Sequence, residues 1–426
     1  MALPKSNITE MVKTDIWVYA HWAGMEKPEC IGVLSAQQAK GRKAFSFEYN
    51  HDWINSKAQL VLDPDIAWFT GAQYPNGKEN FGMFMDSMPD TWGKRLMGKK
   101  AAQLARGADK PTPALYDIDY LLGVYDECRM GALRFKLDSD GDFLDDNINT
   151  PIPHWSGLRA LQHAAAMAET DDGGKDAAKW IAILLGPGSS LGGARPKANI
   201  LDDDEHAWIA KFPSQNDRVD KGSWEYLVYR LALNAGVTMA ESKIEKVGNN
   251  KQHTFFTKRF DRLNGERIHF ASAMTMTGNS EDIIKDEPAS YLDLAEFIQY
   301  SGSNVQADLH QLWLRIIFNI AVSNTDDHLR NHGFIIQNNG WRLSPAYDIN
   351  ASVEKDGLAL NIDSHNNALD YSLAKSVGVY FQLAESQMDV MITKVKAVVS
   401  NWKKLAADIG ITRAEQQYMD SAFRFK

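Results

Sequence analysis

The run Ser323-Asn-Thr-Asp-Asp-His-Leu-Arg-Asn331 concentrates chemistry in a few residues. Asp326 and Asn331 stand in a D-x-x-x-x-N spacing, which protein kinases use in their catalytic loop. There the Asp orients the attacking hydroxyl and the Asn binds a metal ion. Gly333 to Gln337 reads as a strand, Asn339-Gly340 as a two-residue hairpin turn, and Trp341 to Tyr347 as the returning limb. Asp348 follows, and one such hairpin can bring it back beside Asp326. A carboxylate there can hold Mg²⁺ on the β- and γ-phosphates of ATP. The tripeptide Asp348-Ile-Asn350 matches the role of a kinase Asp-Phe-Gly and not its letters. The competing reading is that Asp, Asn and His in a turn after a helix only cap it. The hairpin and the second Asp favour chemistry. His328 and His332 have the i, i+4 spacing of a zinc pair, but no H-E-x-x-H is present. His328 therefore reads as architectural or close to phosphates.

Further upstream lie groups that could complete a phosphate site. The loop Gly186-Pro-Gly-Ser-Ser-Leu-Gly-Gly193 nearly matches two phosphate-binding patterns and satisfies neither, since Ala194 stands where Walker A needs Lys. Its backbone N–H groups, with those of Gly192 and Gly193, could still cradle phosphates. A flexible surface loop is an equal alternative. Lys197 offers a second cation. Lys211 ends the strand Ala207-Trp-Ile-Ala-Lys211, and a helix bearing Glu225 follows, which is the kinase order of strand Lys then helix Glu. A strand-end Lys seen alone usually snorkels. Its place between the glycine loop and the D-x-x-x-x-N pair points to function. Thr257-Lys-Arg-Phe-Asp-Arg262 ends a strand where a kinase hinge would present backbone to adenine; a salt-bridged strand end is the alternative.

These groups need a scaffold. The chain has 426 residues and a formal net charge of −9, with a sequence pI near 5.7. That length suggests roughly two to three domains. Hydrophobic residues at 44% and charged residues at 24% exclude a disordered, collagen-like or disulfide-scaffold chain. An acidic balance argues against direct nucleic-acid binding through a basic surface. Cys30 and Cys128 form no CxxC pair and read as buried free thiols. The polar N-terminus and short apolar runs, Trp180 to Leu185 and Ile316 to Val322, predict a soluble, cytoplasmic protein without a membrane span.

The predicted strands are Asp15 to Ala20, Ile31 to Leu34, Gly131 to Leu137, Lys197 to Leu201, His206 to Phe212 and His253 to Arg259. Asp202 to Glu205 reads as a turn. Predicted helices cover Thr91 to Leu104, Ser156 to Glu169, a segment capped by Ser223 and stopped by Gly236, and a buried Leu309 to Val322. The acidic stretch Asp138 to Pro151 reads as a linker, which places a boundary near 150.

Taken together, the chain resembles the HipA-like kinases of bacterial toxin–antitoxin modules. The resemblance rests on Met88-Pro-Asp-Thr-Trp-Gly-Lys-Arg-Leu96, Leu121-Leu-Gly-Val-Tyr-Asp126 and Arg129-Met-Gly-Ala-Leu-Arg-Phe135. It continues in Ser190-Leu-Gly-Gly-Ala-Arg-Pro-Lys197, Lys211-Phe-Pro213, Lys258-Arg-Phe-Asp-Arg262, Asn324 to Asn331 and Pro345-Ala-Tyr-Asp348. It implies an α+β fold. An α+β N-terminal domain over 1–150 would precede a two-lobed, protein-kinase-like catalytic domain over 151–426. The N-lobe would be mixed, with a small sheet, over about 151–262, and the C-lobe mainly helical over about 263–426.

It also implies an ATP- and Mg²⁺-dependent serine/threonine kinase. Asp326 would be catalytic, Asn331 and Asp348 would bind metal, and Lys211 would contact ATP phosphates. Lys258 and Phe260 would offer hinge backbone to adenine. Ser190 would be autophosphorylated. The implied substrate is a translation component such as an aminoacyl-tRNA synthetase. The implied partner is a HipB-like helix-turn-helix antitoxin, with DNA reached only through that complex and the pair repressing its operon. A small-molecule phosphotransferase and a co-repressor scaffold with a vestigial site are the alternatives. Two departures stand out. Ser189 precedes Ser190, and Asp327 follows Asp326, where it would add negative charge near the phosphates.

Overall fold

The computed structural model describes residues 12–39, 42–56, 59–144, 152–170, 177–186, 193–337 and 340–425. The fold is α+β, as the sequence predicts. Four antiparallel strands open it: β1 (Val12–Ala20), β2 (Glu29–Ala39), β3 (Arg42–Tyr49) and β4 (Leu133–Lys136), in the order β3-β2-β1-β4. Ile16, Val18 and Ala20 alternate with half-buried residues, so one face of β1 enters the core. β1 and β2 run past their predicted apolar centres because the ladder continues through polar pairs such as Lys13↔Gln37. After β4 the start of the expected linker folds back. Leu144 N donates to Phe135 O at 2.8 Å, and the Phe143 ring lies 3.7 Å from the Arg134 guanidinium. Residues 145–151 lie outside the described residues.

A second antiparallel sheet contains β5 (Lys197–Leu201), β6 (Ala207–Lys211), β7 (Ser242–Glu245) and β8 (Thr254–Lys258), in the order β5-β6-β8-β7. The turn between β5 and β6 is tied by the Asp202 carboxylate, which accepts from the Asp204 and His206 amides. The Lys221–Ala235 helix follows β6. Its N-cap is Asp220 and not Ser223: Asp220 accepts from Ser223 N, and Lys221 and Gly222 already wind into the first turn. Gly236, with φ +98°, ends it.

The short pair β9 (Arg262–Leu263) and β10 (Glu266–Arg267) leads to a third sheet of β11 (Phe270–Ser272), β12 (Gly333–Gln337) and β13 (Gly340–Leu343). The predicted hairpin is therefore formed, although Asn339 lies outside the described residues. Gly333 is required by close approach, because a Cβ there would lie 2.1 Å from the Phe270 ring. The Val305–Val322 helix starts one turn before its predicted position and is buried on every side from Leu312 to Val322. Ser323, at φ +49°, terminates it and turns the chain toward Asp326.

The core does not respect the linker. One apolar cluster joins Ile16, Phe47 and Phe135 to Leu227, Trp313 and Phe423. A second joins Trp92 and Leu96, of the Thr91–Gly107 helix, to Leu161, Ile200, Trp208 and Phe256. Cys128 is buried and Cys30 half-buried, and both are free thiols. Cys30 is less enclosed than predicted because it lies near the start of β2, at the end of the sheet. Among the described residues no helix is long and apolar enough to cross a membrane.

Candidate active site

A cavity of about 370 Å³ opens between the second sheet and the segment that follows the Val305–Val322 helix. Gly193, Lys197, Lys211, Lys258, Phe260, Asp326, His328, Asn331 and Asp348 all line it. The sequence places these residues far apart, and the fold brings them to one cavity. Ser189, Ser190, Gly192 and the remainder of 187–192 lie outside the described residues.

Lys211 is the electrostatic centre. Its Nζ donates to Glu225 Oε1 at 2.5 Å and to Asp348 Oδ1 at 2.7 Å. Glu225 projects from the first turns of the Lys221–Ala235 helix, which packs against β7 and β8. Burial alone would lower the Lys211 pKa, but Asp348 and Glu225 together raise it, so the ammonium stays charged. Burial would raise the Asp348 carboxyl, yet Lys211 beside it draws the pKa down to about 2. Glu225 is pushed upward by burial, against the pull of Lys211. Asp348 also sits at φ +55°, a left-handed conformation that Asp tolerates better than most non-glycine residues, and Asn350 Nδ2 donates to its Oδ1 at 3.1 Å.

Asp326 is exposed at the cavity rim. Its main-chain carbonyl accepts from Asn331 Nδ2 at 2.9 Å and from His328 N at 2.9 Å, which closes the loop into a compact turn. Asn331 thereby spends its amide nitrogen on the loop and keeps Oδ1 as a ligand atom. Asp348 Oδ2 accepts from no side chain or amide among the described residues. Two hard oxygens of this kind fit Mg²⁺.

Asp327 departs from expectation. Its carboxylate is buried away from the cavity and accepts from Asn319 Nδ2 at 2.7 Å, from His332 Nε2 at 2.8 Å and from the Tyr291 hydroxyl. Burial opposes its ionisation, but the His332 side chain and these donors lower its pKa. It does not line the cavity; it anchors the loop to the helical half. His328 and His332 consequently diverge, His328 into the cavity and His332 into the core. The chain between them forms a short 3₁₀ turn, so the i, i+4 spacing does not place both on one helical face.

At the sheet end, the Lys258 amide donates to Glu241 O at 2.7 Å, so its N–H is already used. The Phe260 ring packs 5.6 Å from Tyr347 and 5.9 Å from Phe270. The neighbouring charged residues form a clamp. Arg259 reaches Asp261 Oδ1 at 2.8 Å, Cys128 O at 2.9 Å and Arg129 O at 2.9 Å; Gly131 N donates to Asp261 Oδ2 at 2.8 Å. Burial would raise Asp261, but Arg259 and Arg262 pull it down to about 2. The stretch is thus a salt-bridged strand end, with Lys258 and Phe260 also lining the cavity.

Sequence reasoning missed Asp90. It caps the Thr91–Gly107 helix through Gly93 N at 2.7 Å and pairs with Lys197 Nζ at 2.9 Å. The cap is legible as Asp before a helical run. The lysine partner, 107 positions away, leaves no local signal.

The family described as the HipA-like C-terminal domain matches residues 189–402, which hold β5 to β13, the cavity lysines and the Asp326 loop. The chain belongs to this HipA-like family. A Haemophilus influenzae protein named "Putative kinase" is 27% identical over 179 residues, covering 38% of this chain and 52% of that protein. "Putative kinase Y4mE" of Sinorhizobium fredii is 23% identical over 211 residues, covering 48% and 43%. The chain thus spans about half the length of the curated relatives it matches. A solved structure of the Shewanella oneidensis MR-1 toxin–antitoxin system HipA, HipB and its operator DNA superposes with a TM-score of 0.64. That likeness covers 96% of this chain and 94% of the other at 18% identity, and it carries the HipA-like fold over nearly the whole length.

Proposed function

We propose that this chain is an ATP- and Mg²⁺-dependent serine/threonine protein kinase of a toxin–antitoxin module. The observation that carries the reading is Lys211 held between Glu225 and Asp348, in the same cavity as Asp326 and Asn331. That set matches the parts phosphoryl transfer needs, which are positioning and charge stabilisation rather than covalent chemistry. Lys211 would neutralise phosphate charge while Glu225 fixes its direction. Asp326 would orient the acceptor hydroxyl and take its proton. Asp348 and Asn331 would hold Mg²⁺, which neutralises charge on the transferring group. Lys258, through its carbonyl, and Phe260, through its amide, would receive adenine. His328 and Gly193, which line the cavity, would shape the phosphate end, and Gly192 would join them there.

Division into a unit over 1–150 and a catalytic unit over 151–426 belongs to the same proposal. So do a HipB-like helix-turn-helix antitoxin, operon repression through it, cytoplasmic action, and a translation component such as an aminoacyl-tRNA synthetase as substrate. The relationship to the HipA-like family and the solved HipA, HipB and DNA assembly support them. The −9 net charge is consistent with a partner that supplies the phosphate contacts on DNA.

Purified full chain incubated with Mg²⁺ and γ-labelled ATP is expected to label itself, and Asp326→Gln is expected not to. A wild type that never transfers label contradicts the kinase reading. Ser190→Ala is expected to abolish self-labelling, and label mapped to Ser189 would contradict that assignment. Phosphopeptide mapping after induced expression identifies the substrate; a phosphorylated metabolite with no modified protein would favour a small-molecule phosphotransferase.

A further inference from the structure

Lys197 and Lys211 are cross-strand partners on β5 and β6, and both reach the cavity. Lys211 takes its carboxylates from residues that follow it, Glu225 and Asp348. Lys197 takes Asp90, from the segment before the second sheet. That pair is deeply enclosed, with side chains 2% and 7% exposed. The rest of the upstream segment grips the same spot. The Trp92 indole Nε1 donates to Lys197 O at 3.1 Å, and Trp92 N donates to Gly193 O at 3.2 Å. Gly193 sits at φ +100°, and a Cβ there would lie 3.2 Å from Lys197 Nζ. The two oxygens of Asp90 have separate tasks: Oδ1 fixes the helix start and Oδ2 fixes the lysine.

We infer that Asp90 is a positioning residue for nucleotide binding, holding Lys197 toward the phosphates so that the upstream segment completes that end of the site. The inference rests on the nucleotide reading above. Asp90 is the carboxylate partner of Lys197 as Glu225 is of Lys211, but Lys211 is bonded to Asp348 as well. Both of its oxygens are taken, one by the helix start and one by the lysine, so its role is positional. The opposite role, a carboxylate competing with phosphates for the lysine, fits the geometry less well. Asp90 is pinned by the Gly93 amide, and the lysine already lines the cavity while bonded to it.

The test measures Mg²⁺·ATP and adenosine binding by the full chain. Asp90→Asn keeps an oxygen for the helix cap and removes the charge. Its Kd for ATP is expected to rise about tenfold, the loss of one charge-assisted contact, with the Kd for adenosine unchanged. Unchanged or tighter ATP binding overturns the inference. Equal weakening of both ligands overturns it too, because a distorted site would give that result. A double-variant cycle adds a second readout: Asp90→Asn placed on Lys197→Met is expected to cost no further ATP affinity. Additive losses overturn the inference. A wild type that binds neither ligand overturns the nucleotide reading and this inference with it. A wild type that binds both, with Asp90→Asn unaffected, overturns this inference alone.

Discussion

Two lysines stand side by side on β5 and β6, and each meets a carboxylate, yet the two pairs are assembled differently. Lys211 and Glu225 belong to one continuous strand and helix, 14 positions apart. Lys197 and Asp90 meet across a seam between the upstream segment and the second sheet. That seam is charged and aromatic as well as apolar. Arg259 and Asp261 bind the backbone of Cys128, Arg129 and Gly131, and His269 stacks on Trp22 at 5.5 Å. The inner pair therefore depends on local chain geometry, and the outer pair depends on docking. A site built both ways ties its two lysines both to local chain geometry and to the docking of the upstream segment.

The comparison can be broken from its inner side first. Lys211→Met is expected to lower phosphoryl transfer by about 10³-fold, measured as rate of label incorporation, because it removes the phosphate cation and leaves two carboxylates unbalanced. A loss under tenfold would mean that Lys211 is not at the centre of the site. The seam comes next. Asp261→Asn leaves the buried Arg259 and the half-buried Arg262 without their anion, and urea unfolding is expected to show about 3 kcal/mol of destabilisation. A cost near zero would show that the clamp is ornamental to stability.

His269 makes the seam sensitive to acid. It is 2% exposed, neither ring nitrogen has a hydrogen-bond partner among the described residues, and burial draws its pKa down to about 4. An unfolded histidine titrates near 6.5, so the unfolded state binds the proton first. Stability from this residue is present above pH ~6.5 and lost as pH falls toward 4, by about 2 kcal/mol at pH 5. His269→Phe is expected to remove that slope between pH 7.5 and pH 5. An unchanged slope would place the acid sensitivity elsewhere. The smallest effect sharpens the contrast between the two carboxylates. Glu225→Gln is expected to lower kcat about tenfold at constant KM for ATP, where Asp90→Asn changes ATP binding. Identical signatures from both variants would erase the distinction.

How much of this was legible in the residues depended on sequence distance. The D-x-x-x-x-N pair, the returning hairpin and Asp348 could be read because one supersecondary unit holds them, and turn chemistry reports on such units. Lys211 and Glu225 were readable from strand-then-helix order. Asp90 was not, since helix capping explains an Asp in that position completely and nothing local reveals a second partner. Asp327 was misread for a related reason. Its neighbours in sequence face the cavity, but its own carboxylate turns to Asn319 and His332 in the core, contacts that no local pattern reports. Ser223 was misplaced as a cap because Asp220 serves the same donors earlier. The linker signal over 138–151 was compositional, and composition does not register that Phe143 packs on Arg134.

The central claim is that this cavity binds ATP through lysines and a metal held by Asp348. Titrating ATP into the full chain with and without Mg²⁺, for wild type and Asp348→Asn, tests it most directly. The account predicts that Mg²⁺ tightens ATP binding to wild type and leaves Asp348→Asn unaffected. ATP binding that ignores both the metal and the substitution, or no ATP binding at all, would contradict it.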